Sequence, residues 1–369
     1  MRALVLGGYG NFGARICRAL APDPRIELIV AGRDRRRAAT LAASLHAAAV
    51  ELDTSAADFA DRLAWTRPDL VIHTAGPFQG QDYRVPEAVA AVGAHYIDLA
   101  DGRRFVCDFP AALDGHFRRA GRSAVSGAST VPALSSAVVA AALQRVARLE
   151  AIDMCIAPGQ RAPRGVATLA GVLSYCGAPV QVWRQGRWQE LPGWSAPQPV
   201  RFARLRPRLG AVCDIPDLEL FPRLFAPVRE VMFRAALEVG FTQRAFAAVG
   251  WARARGLLKR PERLAGLLHR AGRLADALGS GDGGMYVRLA GEDPHGRPLR
   301  LAWHITAPGG HGPEIPCMAA ILLARRLAAG QPLPPGAMTA AGLLELAEFE
   351  PEFRRWGMTT EWEQAADGA

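Results

Sequence analysis

Arg2-Ala3-Leu4-Val5-Leu6-Gly7-Gly8-Tyr9-Gly10-Asn11-Phe12-Gly13 follows the first methionine, and its reading decides the fold. Four apolar residues, 3–6, run straight into glycines, and a helical pattern of apolar positions follows over 11–20. Gly8-Tyr9-Gly10-Asn11-Phe12-Gly13 fits G-x-G-x-x-G in the context that gives the match its meaning, after a strand and opening a helix. Gly8 permits the tight turn, Gly10 lets the backbone approach a pyrophosphate, and Gly13 lets the helix pack closely on its strand. The helix that Asn11 and Phe12 begin offers unpaired N–H groups and a positive dipole end to phosphates. The stretch therefore reads as a dinucleotide-binding turn.

Working outward, short apolar runs at 26–31, 47–52, 70–74, 94–99 and 123–126 alternate with helical patterns at 34–46, 56–64, 82–92 and 106–120. Continuous apolar strands separated by helices predict an α/β fold, a Rossmann-type doubly wound parallel sheet covered on both faces. After a helical stretch over 132–148 the pattern changes. Runs at 151–157, 180–183, 200–205, 285–290 and 299–305 read as strands, and Arg184-Gln185-Gly186-Arg187 reads as a tight hairpin turn. Long helical patterns fill 220–278, with Pro261 starting the second of them, and an apolar helix covers 314–328. The expected organisation is a nucleotide-binding domain over 1–131, a second α+β domain of helices on a mainly antiparallel sheet over 132–311, and C-terminal helices over 312–369 that return to the first domain.

The end of the second strand selects the nucleotide. A carboxylate there would accept the ribose hydroxyls of NAD, whereas this chain has Ala31-Gly32-Arg33, then Asp34 and Arg35 to Arg37. Arg33 is suited to a 2′-phosphate, which favours NADP; Asp34 keeps NAD possible, and Arg36 and Arg37 read as a solvated first helical turn. Asp53, past the third strand, either meets the adenine or caps the next helix. Past the fourth strand, Ala75-Gly76-Pro77-Phe78 is expected to border the nicotinamide, with Phe78 walling its ring. Asp98 and Asp101, past the fifth strand, and Tyr83 are the candidate catalytic groups, able to supply a proton or a charge contact to a small-molecule substrate between the domains. A helix cap is the plainer role for either carboxylate. Ser126, Ser129 and Thr130 offer hydroxyls, one of which is expected to cap the helix from Pro132. His73 reads as a core histidine, and His311 as part of a glycine turn or as an acid on a closing loop.

On Gly7 to Gly13, Ala31-Gly32-Arg33, Ala75-Gly76-Pro77-Phe78-Gln79-Gly80, Tyr96-Ile97-Asp98-Leu99-Ala100-Asp101-Gly102 and Ser126 to Ser135, the chain resembles the saccharopine dehydrogenase-like family, in its saccharopine reductase-type branch. A weaker match includes Gly312 to Pro316 and Gly342 to Leu346. The resemblance implies a Rossmann domain, an inserted second α/β domain, and NADP-linked hydride transfer to or from a small imine or carbonyl, amino-acid-like in kind. It does not fix the substrate. A non-catalytic NADP-binding sensor or a peripheral membrane-associated protein is the alternative.

Composition removes other chemistries. Of 44 basic residues 43 are arginine, and the one lysine, Lys259, is followed by Arg260, so the chain has no Walker phosphate loop. Pyridoxal phosphate or Schiff-base chemistry would have to use Lys259 itself, and so would a dehydrogenase with a Tyr-x-x-x-Lys pair, but no tyrosine stands four residues before it. The net charge of +9 invites a nucleic-acid partner, but 201–280 alone holds fifteen Arg and Lys against seven Asp and Glu. The excess is local, and no nucleic-acid partner is expected. Its arginines at 253, 255, 260, 263, 270 and 273 read as a solvated face, with an anionic membrane surface as the weaker alternative. The eight histidines have no metal-site spacing, so no metal is expected, and six scattered cysteines point to a reduced, cytoplasmic protein. The N-terminus does not read as a signal peptide, and a homodimer is the expected assembly.

Overall fold

The structure, a computed structural model, describes residues 1–163 and 166–364. They form two compact units, 1–134 with 314–344, and 135–313 with 345–364.

In the first unit, β1 (Arg2–Leu6), α1 (Asn11–Leu20), β2 (Glu27–Gly32), α2 (Arg35–Ser44), β3 (Ala48–Glu51), α3 (Phe59–Thr66), β4 (Leu70–His73), α4 (Arg84–Ala91), β5 (His95–Asp98), α5 (Arg103–Ala120) and β6 (Ser123–Ser126) alternate along the chain. The strands lie in the order β6-β5-β4-β1-β2-β3, all parallel, and Gly336–Thr339 extends the sheet in parallel beside β6. Leu4, Val5, Val71 and Ile72 are wholly buried, as uninterrupted apolar strands in a covered parallel sheet must be. The order reverses direction at β1, which opens a crevice at the carboxyl ends of β1 and β4. Phe105, Phe109, Leu113 and Phe117 recur every fourth residue along α5 and bury one stripe of that helix. Helix Ile315–Ala328 packs on α1, where Cys317 donates to the Phe12 carbonyl at 3.6 Å and Arg325 to that of Ala19 at 3.2 Å.

The second unit is a nine-stranded, mainly antiparallel sheet with helices, as expected. The turn at 184–187 closes a two-residue hairpin between Pro179–Arg184 and Arg187–Pro192, with Gln185 and Gly186 both at positive φ. Three expectations fail. Glu230–Leu237, assigned to a helical stretch, is a strand at the centre of this sheet, parallel to Arg148–Ala157 and antiparallel to Arg208–Val212. Its consecutive Val231, Met232 and Phe233 are buried by partners far away in sequence, which no local period announces. The run at 200–205 is a strand only to Val200, and the chain resumes pairing at Arg208. The segment 312–369 does not return as one piece. Residues 314–344 join the first unit, whereas helix Leu346–Arg355 and strand Thr359–Gln364 join the second, the strand pairing with Pro298–Ala307; 365–369 lie outside the described residues.

Candidate functional site

The glycine turn has the geometry a pyrophosphate requires. A Cβ on Gly13 would stand 2.2 Å from the Gly7 carbonyl oxygen, so only glycine lets α1 approach the end of β1 this closely. Gly7 has φ +75°, and a Cβ there would stand 2.9 Å from Thr74 Oγ1; Thr74 Oγ1 donates to the Leu6 carbonyl at 2.8 Å, which ties the turn to the end of β4. Gly10 caps α1 in an extended conformation, with no side chain on the cap and no acid in the first turn. A helix N-terminus with neither a capping side chain nor an acid in its first turn suits an anion, and the residues present fit a dinucleotide phosphate. Gly8 is held by its N–H to the Ala31 carbonyl at 2.9 Å. Asn11 and Phe12 follow in the first turn, where Arg15 donates to the Asn11 carbonyl and side chain and pairs with Glu314 at 2.9 Å.

At the end of β2, Arg33 is exposed, and its charge helps the two hydrogen bonds from Ser55 hold Asp53 below the ordinary carboxylate range. Asp53 therefore closes its own turn; α3 starts only at Phe59, so Asp53 does not cap it. Asp34 is committed as well, since its carboxylate accepts the Arg37 N–H at 3.0 Å and caps α2. Tyr9, which the sequence reading left without a role, sits over this strand end. Its hydroxyl accepts the Asp34 N–H at 2.8 Å, and the Arg37 guanidinium lies 4.6 Å from its ring centre. Arg37 is exposed, as expected of a solvated first turn, with its guanidinium over the ring of the residue inside the glycine turn. A ligand at this edge meets two arginines and no uncommitted carboxylate, which fits a 2′-phosphate.

The loop after β4 presents Ala75, Gly76 and Pro77 at the surface, braced by Gln81 Nε2 donating to the carbonyls of Ala75 at 3.0 Å and Pro77 at 2.8 Å. Phe78 does not wall the rim. It is 4% exposed, with its ring 5.0 Å from His73 and 5.3 Å from Phe105, because an apolar ring beside an aromatic core gains more by turning inward. Tyr83 is likewise turned inward. Its hydroxyl donates to the Phe105 carbonyl at 2.9 Å, its ring packs on Phe105 and Phe109, and burial pushes its pKa up to about 12.

The two carboxylates past β5 separate by environment. Asp98 is fully buried, and its Oδ1 accepts from Gly127 N at 2.8 Å, Ala100 N at 2.9 Å and Ser126 Oγ at 3.0 Å. Burial raises its pKa to about 6, and its place is that of a clamp holding the loops after β5 and β6. Ser126 serves that clamp and caps no helix. His73 beneath is buried, 3.0 Å from the Tyr96 hydroxyl, and desolvation drives it down to about 4, a neutral core histidine. Asp101 reaches the surface and accepts from Gln79 Nε2 at 3.1 Å, which joins it to the loop after β4. The chain around it still lifts its pKa above the ordinary carboxylate range by desolvation. Of the three candidate catalytic groups, it is the one at the rim.

His311 belongs to the second unit, in a turn with its ring 4.9 Å from Trp356. A shallow hollow of about 600 Å³ on the second sheet is floored by Ala151, Ala290 and Ala302, and its Asp153 is paired with Arg234, so it gathers no reactive set. Among the described residues no His, Cys, Asp and Glu side chains gather as metal ligands, and no helix is long and apolar enough to cross a membrane. None of the six cysteines is in a disulfide.

Residues 3–156 match the family model described as the saccharopine dehydrogenase NADP binding domain. No curated protein matches the sequence. Among solved structures, the apo saccharopine dehydrogenase (L-Glu forming) of Saccharomyces cerevisiae is similar, with TM-score 0.69, 12% identity and 99% and 100% of the two chains covered. The homospermidine synthase of Legionella pneumophila, in complex with NAD, is similar with TM-score 0.65, 10% identity and 99% and 91% coverage. At such identities the likeness is one of fold. Residues 3–156 are thus similar to the saccharopine dehydrogenase NADP binding domain, and the chain shares its fold with these two solved structures.

Proposed function

We propose that the protein moves a hydride between NADP and a small imine or carbonyl substrate of amino-acid-like kind, with Asp101 holding the proton. The observation that carries the reading is the rim at the carboxyl ends of β1, β4 and β5. There a glycine turn fit for a pyrophosphate, a braced backbone loop over 75–77 and a carboxyl with a raised pKa are linked through Thr74 and Gln79. NADPH, when bound, supplies the hydride. Gly10 and the first turn of α1 bind the pyrophosphate, Arg33 and Arg37 hold the 2′-phosphate, and the backbone of 75–77 orients the nicotinamide end. In the reducing direction the substrate carbon gains the hydride and its nitrogen or oxygen gains the Asp101 proton. A carboxyl whose pKa lies above the usual range keeps that proton closer to neutrality.

Asp101→Asn should leave NADPH binding near that of the parent and lower kcat by about 10² to 10⁴, the usual worth of a positioned general acid. In the parent the reductive rate should fall as pH rises through the raised Asp101 pKa. Both are read by following NADPH loss across amino-acid plus keto-acid pairs, imines and enals. An unchanged kcat in the variant removes Asp101 from the role, and no turnover with any substrate favours a non-catalytic NADP-binding protein.

A further inference from the structure

The chain's basic excess and half of the large apolar side chains exposed among the described residues fall in one stretch of sequence. Between Gly240 and Leu278 the second unit carries eight Arg and Lys residues against Glu262 and Asp276. The same stretch holds six of the twelve large hydrophobic side chains exposed among the described residues, namely Phe241, Trp251, Leu257, Leu267, Leu274 and Leu278.

Helix Ala265–Leu274 shows how they are arranged. Leu267, Arg270, Ala271 and Leu274 are exposed and spaced three and four residues apart, so they share one face, and that face looks outward. Leu274 is 84% exposed. Helix Gly240–Ala254 repeats the pattern with Phe241, Arg244, Ala245, Ala248 and Trp251, and the Arg255 guanidinium lies 5.2 Å from the Trp251 ring centre. The connecting segment exposes Leu257, Lys259, Arg260 and Arg263. The side chain of Arg273 lies outside the described residues. A face solvated by water turns its apolar residues inward. Here leucine, phenylalanine and tryptophan stand outward among arginines, which is the composition of a helix that lies in a lipid headgroup layer. Of the arginines expected on a solvated face, Arg255, Arg260, Arg263 and Arg270 are exposed, whereas Arg253 donates to the Ser174 and Cys176 carbonyls; the outward leucines beside them are what the sequence period alone did not place.

We propose that the segment 240–278 docks the protein on the surface of an anionic lipid bilayer, with its outward leucines and aromatic rings entering the acyl boundary and its arginines meeting the lipid phosphates. A second copy of this chain would bring two strongly basic faces together, whereas an anionic surface neutralises them. The proposal stands apart from hydride transfer, and its readout does not depend on activity.

The test is co-sedimentation of the full chain with vesicles of phosphatidylcholine alone and of phosphatidylcholine mixed with an equal part of phosphatidylglycerol. The protein should partition onto the anionic vesicles, less so as salt is raised, and only weakly onto the neutral ones. Leu267→Ser with Leu274→Ser should lower partition roughly tenfold or more. Arg260→Glu with Arg263→Glu should lower it roughly fivefold for each arginine removed. Both pairs are exposed, so thermal midpoint and NADPH affinity should stay those of the parent, which excludes misfolding as the cause. No partition onto anionic vesicles at low salt overturns the proposal, as does full partition by the leucine pair. Self-association through these leucines, seen by ultracentrifugation without vesicle binding, also overturns it.

Discussion

At the scale of the residue, the proposed nucleotide preference rests on two arginines that sequence reading treated differently. Arg33 was legible because the end of β2 is a fixed place in this sheet order. Arg37 was not, because its partner is Tyr9, 28 positions earlier, and the two meet only when β1 and β2 lie side by side. Arg33→Ala should raise the Kd for NADPH about 10- to 100-fold, the worth of a charge-assisted phosphate contact, while NADH binding changes little. Arg37→Ala should cost NADPH about threefold to tenfold, since it removes one cation near the phosphate and a cation–π contact. Fluorescence titration with both cofactors measures each, and equal losses for NADH in either variant would deny these arginines the phosphate. The same limit governed the candidate acids. Asp98, Asp101 and Tyr83 were all readable as titratable groups past strand ends, but which faces the rim depends on neighbours such as Phe105 and Gly127.

At the scale of the element, the first strand, its glycine turn and α1 act as one unit. Gly13→Ala would place a methyl 2.2 Å from the Gly7 carbonyl, so α1 must move away from β1 or the turn must open. The expected cost is about 1–3 kcal/mol of stability, with NADPH affinity down at least about tenfold because the N–H groups of the first turn move with the helix. A thermal melt and a cofactor titration check this, and a variant that keeps both properties would mean the close approach is not needed. Elements of this kind were legible because the strands and helices of the first unit announce themselves by local period. Strand Glu230–Leu237 did not, since Val231-Met232-Phe233 is a short apolar run that suits a buried helix or a buried strand equally. Its pairing with Arg148–Ala157 settles the matter, and that pairing spans some eighty residues of chain.

At the scale of the whole molecule, each unit buries a carboxyl group, and the two make stability depend on pH. Asp217 is fully buried against the Ser135 hydroxyl, which donates to it, and burial raises its pKa to about 7; Asp98 is raised to about 6. Between about pH 4 and these values the folded chain keeps protons that the unfolded chain has lost, so stability falls as pH rises through this window and levels off above it. Asp217→Asn keeps an acceptor for Ser135 and removes the titration, so it should flatten the fall by an amount on the order of a few kcal/mol. Thermal midpoints of parent and variant from pH 4 to about 8 decide it, and parallel curves would mean that Asp217 does not titrate in this range. Taken by itself, the sequence determined the parallel sheet of the first unit, the glycine turn and the arginine past β2. Each is written in a local period or a short motif whose backbone demands are met by adjacent residues. Tertiary structure alone decided that Phe78 and Tyr83 turn inward, that Asp98 is a clamp while Asp101 reaches the rim, that the C-terminal segment divides between two units, and that leucines of the basic segment face out. Side-chain direction is set by what remains to be buried once distant segments have packed, and no window along the chain contains that information.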